Sequence, residues 1–234
     1  MRLPTSGPVI LLLRVRSAGA KILSSATSVD EARWLEDQGC DAIIAQGVEA
    51  GGHRGMFLTE DVSTQVGTMA LVPQVVDVVK VPVIAAGGIA DARGILAAFA
   101  LGASAVQIGT AYLPCPEAKV SPFHRQALKG ARDNDTAITN VFTGRPARAI
   151  VNRLMQEVGP LSDVAPKFPL AAGPLAPLRA KSEEAGSTDF TPLWSGQSAR
   201  LGRELPAGEF TKQLGAEILE KLRLLRTIAW SVHA

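Results

Sequence analysis

Four short apolar runs alternating with helix-patterned stretches constrain this chain more than anything else in it. The runs are Ala20–Ala26 (AKILSSA), Cys40–Ala45 (CDAIIA), Val81–Ala86 (VPVIAA) and Ala103–Ile108 (ASAVQI). The second, bounded by Gly39 and Gly47, reads as a short apolar run interrupted only by Asp41, as expected of a parallel strand covered on both faces. Between the runs, Ser28 with Glu31 three residues on forms a Ser-x-x-Glu capping box, and a helix through EARWLED stops at Gly39. Met69–Val79 has helical spacing with Pro73 in its first turn. A third helix is predicted from about Asp91, its N-cap, to near Gly102. This alternation predicts a parallel α/β architecture, either an open doubly wound sheet or a (β/α) barrel. The special residues Gln46–Arg54, Gly87-Gly88 and Gly109-Thr110 all follow strands, which favours the barrel, whose site loops lie at the C-terminal ends of its strands.

The stretch AQGVEAGGHRG (Ala45–Gly55) carries the most chemistry. His53, glycine-flanked after a strand, is either an exposed loop histidine or a general base, since imidazole titrates near neutral pH. Gln46 presents an amide to a heterocycle or hydrogen-bonds a neighbouring loop. Glu49 and Arg54 read by default as solvated loop charges; Arg54 alternatively holds an anionic substrate or braces the loop. Gly87-Gly88 and Gly109-Thr110 are plain tight turns, or their amides and the Thr110 hydroxyl converge on one phosphate.

At 234 residues and 47% apolar composition the chain is large enough for a real core. Its 24 basic and 22 acidic side chains leave a net charge of +2 without like-charge blocks, so no nucleic-acid or membrane partner is expected. Cys40 and Cys115 have no metal-ligand spacing and read as buried small hydrophobes in a reducing compartment; no metal site is expected. Val9–Leu13 is too short to span a membrane and is followed by Arg14 and Arg16 in place of a cleavage site, so a cytoplasmic location is expected.

Beyond about Pro116 the rhythm stops. Residues 121–130 and 150–158 read as helices, residues 159–177 as a proline-, alanine- and glycine-rich loop, and residues 213–229 as an amphipathic helix with Leu214, Ile218, Leu222 and Leu225 on its apolar face. The two arginines of FTGRPAR (Phe142–Arg148) are by default surface charge, and Trp194 of PLWSG covers a core edge.

Taken in order, AQGVEAGGHRG, VPVIAAGGIADARGILAAFALGASAVQIGTAYL, FTGRPARAIVNRLMQEVGP and PLWSGQ resemble the nitronate monooxygenases, formerly 2-nitropropane dioxygenases, which are FMN-dependent TIM-barrel enzymes. The resemblance runs from about Gly19 to the C-terminus. It implies that His53 is the catalytic group at the flavin, and that Gln46, Gly51, Gly88 and the run Gln107, Ile108, Gly109 and Thr110 contact FMN, with Gly87 beside them. The implied reaction oxidises an alkyl nitronate with dioxygen to a carbonyl compound and nitrite. The alternatives are an FMN-dependent enoyl reductase and a catalytically silent flavin-binding half-barrel.

The four β-α units match the family's second half, and Ile10–Ala18 resembles the tail of the helix before its fifth strand. The expectation is therefore a single domain, 1–234: a partial TIM (β/α)8-type barrel of about the last four units over residues 19–115, plus a helical extension over 116–234. Half a barrel exposes two strand edges and an apolar inner face. Pairing with a second copy or with a separate N-terminal fragment, a shortened reading frame, and a partly folded product are the outcomes this leaves open.

Overall fold

The computed structural model describes residues 14–231; Val9–Leu13 and the start of the Ile10–Ala18 stretch lie outside the described residues, and residues 14–17 are helical. The elements run β1 (Leu23–Ala26), α1 (Val29–Asp37), β2 (Ala42–Gln46), β3 (Gly52–His53), α2 (Thr68–Val76), β4 (Val83–Ala86), α3 (Ala92–Ala100), β5 (Ala105–Gln107), α4 (Pro122–Gly130), β6 (Thr136–Thr139), β7 (Ala147–Ile150), α5 (Arg153–Val158), α6 (Ala172–Glu184) and α7 (Ala207–Ser231). They fall into two compact units: Met1–Val48, Gly55–Ala86 and Ala98–Gln107 form the first, and Glu49–Arg54, Gly87–Ala97 and Ile108–Ala234 the second.

The first unit is an α/β layer on a four-stranded parallel sheet of order β1-β2-β4-β5. Strands are added in chain order, without the reversal that marks a doubly wound sheet. Registers such as Ile43↔Val83 and Ala45↔Ala85 align the apolar runs, and Leu35 of α1 with Leu71, Val72 and Val75 of α2 is buried in this layer.

Two local expectations need correction. Ser28 caps α1 by accepting the Glu31 amide, but the Glu31 carboxylate completes no capping box: it accepts from the amide and hydroxyl of Thr27 and from the amides of Phe57 and Leu58. Pro73 is not in the first turn of its helix, because α2 starts at Thr68 with Gly67 as N-cap and Pro73 is interior. An interior proline costs about 3 kcal/mol; burial of Leu71, Val72 and Val75, at about 1.5–3 kcal/mol each, outweighs it. Asp91 caps as expected, its carboxylate accepting the Arg93 and Gly94 amides.

The second unit is not the helical extension the sequence suggested. It contains a three-stranded antiparallel sheet of order β3-β7-β6, with Gly52 opposite Arg148 and His53 opposite Ala147. Ile150 closes β7 and is not helical; α5 begins only at Arg153, capped by the Asn152 side chain, which accepts the Met155 amide. The proline-rich stretch also turns helical from Ala172, with Pro177 inside α6. Among the described residues, this unit holds an apolar cluster of Leu128, Ala131, Ile150, Leu193 and Ala199 and another of Val141, Phe142, Ala149, Leu154 and Met155. Of the expected apolar face of α7 only Leu214 is buried, and Leu222 and Leu225 are 48% and 56% exposed. Among the described residues no helix is long and apolar enough to cross a membrane.

Candidate functional site

His53 is held by a strand instead of a floppy loop. Gly52 and His53 pair with β7, and the Arg54 amide extends the ladder by donating to the Pro146 carbonyl at 2.9 Å. On the other side the 49–54 segment is clamped to the PLWSGQ stretch: the Gln197 amide donates to the Glu49 carbonyl at 3.0 Å. Gly51 allows this approach, since a Cβ there would lie 2.5 Å from the Gly196 nitrogen and 2.6 Å from the Ser195 carbonyl carbon. The Gly196 amide in turn donates to the Thr110 hydroxyl oxygen at 2.9 Å. Gly51, His53 and Thr110 are thus gathered within the second unit.

The imidazole Nε2 lies 3.0 Å from Thr143 Oγ1. Trp194 is tilted against the ring with centroids 5.4 Å apart, and Phe168 approaches edge-on at 6.2 Å. These neighbours partly desolvate the ring, although the residue as a whole is exposed. Desolvation, then the positive charge of Arg145, pushes the His53 pKa below its ordinary value. Both influences disfavour the imidazolium and so favour the neutral ring.

Arg54 is not the solvated charge expected from sequence. It is 1% exposed and donates to the Ala50 carbonyl at 2.9 Å, which is the geometry of a loop brace. Burial and then neighbouring Arg148 push its pKa down to about 10 against the attraction of Glu49, so it stays charged at neutral pH. Arg148 is likewise buried, not surface charge, and donates to Thr136 Oγ1 at 3.1 Å.

The glycine turns differ in character. Gly87 and Gly88 have φ of 109° and 71°, left-handed values that favour glycine. At exposed Gly109 a Cβ would meet nothing within 4 Å, so the backbone faces open space. Gly88 and Glu49, with Arg132, Asp133, Gln197, Ser198, Arg200 and Leu201, line a cavity of about 650 Å³, within the usual size of a ligand pocket. Ile108 is half-buried in the same unit. Gln46 and Gln107 belong to the first unit: Gln46 Oε1 accepts the Gly55 amide at 2.8 Å, and Gln107 ends β5 with its side chain exposed. Sequence reasoning missed Arg132, Gln197, Ser198, Arg200 and Thr143, although Gln197 and Thr143 sit in the motifs PLWSGQ and FTGRPAR.

Fold and site together describe an α/β protein with a histidine on a short clamped strand and a cavity that Gly88 helps to line. The chain belongs to the nitronate monooxygenase family, whose model matches residues 6–217. It is 43% identical over 205 residues to a protein named probable nitronate monooxygenase from Staphylococcus aureus (strain MSSA476), covering 87% of this chain and 58% of that one. A second such protein, from strain MRSA252, is 44% identical over 198 residues, 84% of this chain and 56% of its own length. The chain thus spans little more than half the length of these curated relatives. Among solved structures it is similar to nitroalkane oxidase from Streptomyces ansochromogenes, with a TM-score of 0.82 and 41% identity over 94% of this chain and 63% of that one. FabK from Thermotoga maritima gives a TM-score of 0.75 at 32% identity over 96% of this chain and 69% of that one.

Proposed function

We propose that this chain is the flavin-holding, histidine-bearing part of a nitronate monooxygenase, and that with FMN bound it oxidises alkyl nitronates with dioxygen to a carbonyl compound and nitrite. The observation that carries the reading is His53, paired with Ala147 of β7 and with its Nε2 3.0 Å from Thr143 Oγ1, on a segment that the Gln197 amide clamps at Glu49. The strand order β1-β2-β4-β5, without a switch point, supports an arc of a (β/α)8 barrel, its last four units, over a doubly wound sheet.

The residues present fit a phosphate-bearing flavin. Gly87 and Gly88 hold backbone that side-chain-bearing residues avoid, Gly109 leaves open space, and the cavity at Gly88 carries Arg200 and Arg132, the latter paired with Asp135, beside the acidic Glu49 and Asp133. We assign Gly51, Gly87, Gly88, Ile108, Gly109 and Thr110, all of the second unit, to FMN contact. FMN, when bound, supplies the electron-transfer chemistry.

The chain's own residues bind, orient and move a proton. His53 accepts the proton from the acidic carbon of a neutral nitroalkane, leaving the electron pair on the nitronate. For a nitronate offered as such, the positive charge of Arg145 beside His53 favours the anion. Higher likeness to the nitroalkane oxidase than to FabK, in both TM-score and identity, supports this reaction over an enoyl reduction.

The test is the absorption spectrum of the purified chain after incubation with FMN and gel filtration, followed by nitronate turnover. Retained flavin with nitrite release, abolished in His53→Ala, is the expected result. NADH oxidation with an enoyl thioester and none with a nitronate decides for the reductase. A colourless chain with no turnover decides for a silent module.

A further inference from the structure

The contacts of Thr143 fix where the protons of its neighbourhood lie. Its Oγ1 stands 3.0 Å from His53 Nε2, 3.2 Å from the Arg145 carbonyl oxygen and 3.3 Å from the Arg145 amide nitrogen. The amide has only a proton to give and the carbonyl only lone pairs. The hydroxyl owns a single proton. Given to the carbonyl, that proton leaves the oxygen's lone pairs for the amide and for the imidazole, and Nε2 must then be a donor. Given to the imidazole, it sets two acceptors against one proton and makes the Arg145 carbonyl contact repulsive. Only the first arrangement turns all three contacts into hydrogen bonds.

We propose that Thr143 is a positioning residue that holds His53 as the Nε2–H tautomer, so that Nδ1 is the atom that accepts the proton. The two ring nitrogens are chemically distinct, and the bond made by one sets the role of the other. The arrangement survives proton transfer: an imidazolium donates from both nitrogens, so the Nε2–H bond to Thr143 persists and no hydroxyl has to turn. Exchanging the nitrogens by a ring flip would break that bond and disturb the packing against Trp194 and Phe168. Thr143 also works against the two influences that disfavour the imidazolium, desolvation and Arg145. In the proton step, the C–H bond of a nitroalkane breaks, a bond to Nδ1 forms, and the electron pair stays on the nitronate. That consequence rests on the proposed function; the protonation pattern itself does not.

Imidazole ¹⁵N–¹H correlation spectra of the full chain test the proposal directly. The chain has three histidines, His53, His124 and His233, so the His53 signals are identified by their loss in His53→Gln. Above its pKa, His53 should show pyrrole-type Nε2 and pyridine-type Nδ1, with a tautomer preference of about tenfold, the scale of one hydrogen bond. Thr143→Val should reduce that preference to near unity and lower the His53 pKa, while Thr143→Ser should restore both. A wild-type spectrum dominated by Nδ1–H overturns the proposal, even if Thr143→Val proves unfolded. A folded Thr143→Val with unchanged tautomer and pKa overturns it as well. Failure to retain FMN or to turn over nitronate counts against the proposed function and leaves this spectrum as it is.

Discussion

Glu31→Gln should destabilise the protein by about 3 kcal/mol, because the carboxylate it removes ties two segments of the first unit together through orphanable backbone amides. The side chain is 0% exposed. Oε2 accepts the Thr27 amide and hydroxyl, each at 2.7 Å, and Oε1 accepts the Phe57 amide at 2.7 Å and the Leu58 amide at 3.3 Å. Glutamine keeps the volume, so no cavity term enters, but it turns one of the two acceptor oxygens into a donor. With the new NH₂ towards Thr27, a fully buried amide loses its partner, at about 1–3 kcal/mol. With the NH₂ towards Phe57 and Leu58, two amides lose theirs, but both residues lie near solvent and water replaces part of the loss. Either orientation also weakens the surviving bonds, since those to an ionised acceptor are roughly twice as strong as neutral ones. Glu31→Ala adds a cavity and should cost about 4–5 kcal/mol. Urea unfolding followed through Trp34, whose ring packs 5.6 Å from Phe57, reads the change. Hydrogen exchange should speed up at Phe57 and Leu58. A loss below about 0.5 kcal/mol, the size of an ordinary surface substitution, would refute the reasoning.

Acid should weaken the fold through two histidines. Burial, then Arg145, lowers the pKa of His53, and burial lowers that of His124 against the opposing pull of the Trp194 carbonyl. Below about 6.5 the unfolded chain binds protons that the folded chain does not, so stability falls with pH until the depressed folded values are reached. Urea midpoints measured from pH 7 to pH 5 should decline less steeply in the His53→Gln/His124→Gln pair than in wild type, and equal slopes would reject this origin. Gly51→Ala and Gly109→Ala should part company. The first drives a Cβ into the backbone at Ser195 and Gly196 and should lower stability by about 2 kcal/mol. The second meets open space in the protein, so thermal unfolding should stay unchanged while FMN retention drops; full retention would remove Gly109 from the phosphate grip.

The parallel layer was legible because its signals are local. Each strand is a contiguous apolar run, and the caps at Ser28 and Asp91 sit within three residues of the amides they serve. The antiparallel sheet was not, because β3 has only two residues, Gly52 and His53, and gains its identity from β7 far along the chain. β7 itself reads Ala-Arg-Ala-Ile, and the charge of Arg148 hides a strand whose every residue is buried. Arg54 looked solvated for the same reason: its burial depends on packing that no nearby residue announces. α6 was obscured by Pro177 and by a composition typical of loops. For the candidate site, the glycine turns and His53 stood out by residue type, whereas Thr143 meets His53 across 90 positions of sequence.

The pairing of Gly52 with Arg148 and of His53 with Ala147 also sets a parity rule on how this family member can change length. Side chains on a strand alternate between faces, so a single residue inserted or deleted between the Glu49 clamp and β3 would present the histidine to the opposite side of the sheet. Two residues would return it to the original side as a bulged or longer loop. Divergence in this segment is therefore expected through substitution and through even-numbered length changes, with odd-numbered ones expected to move His53 off its present face of the sheet.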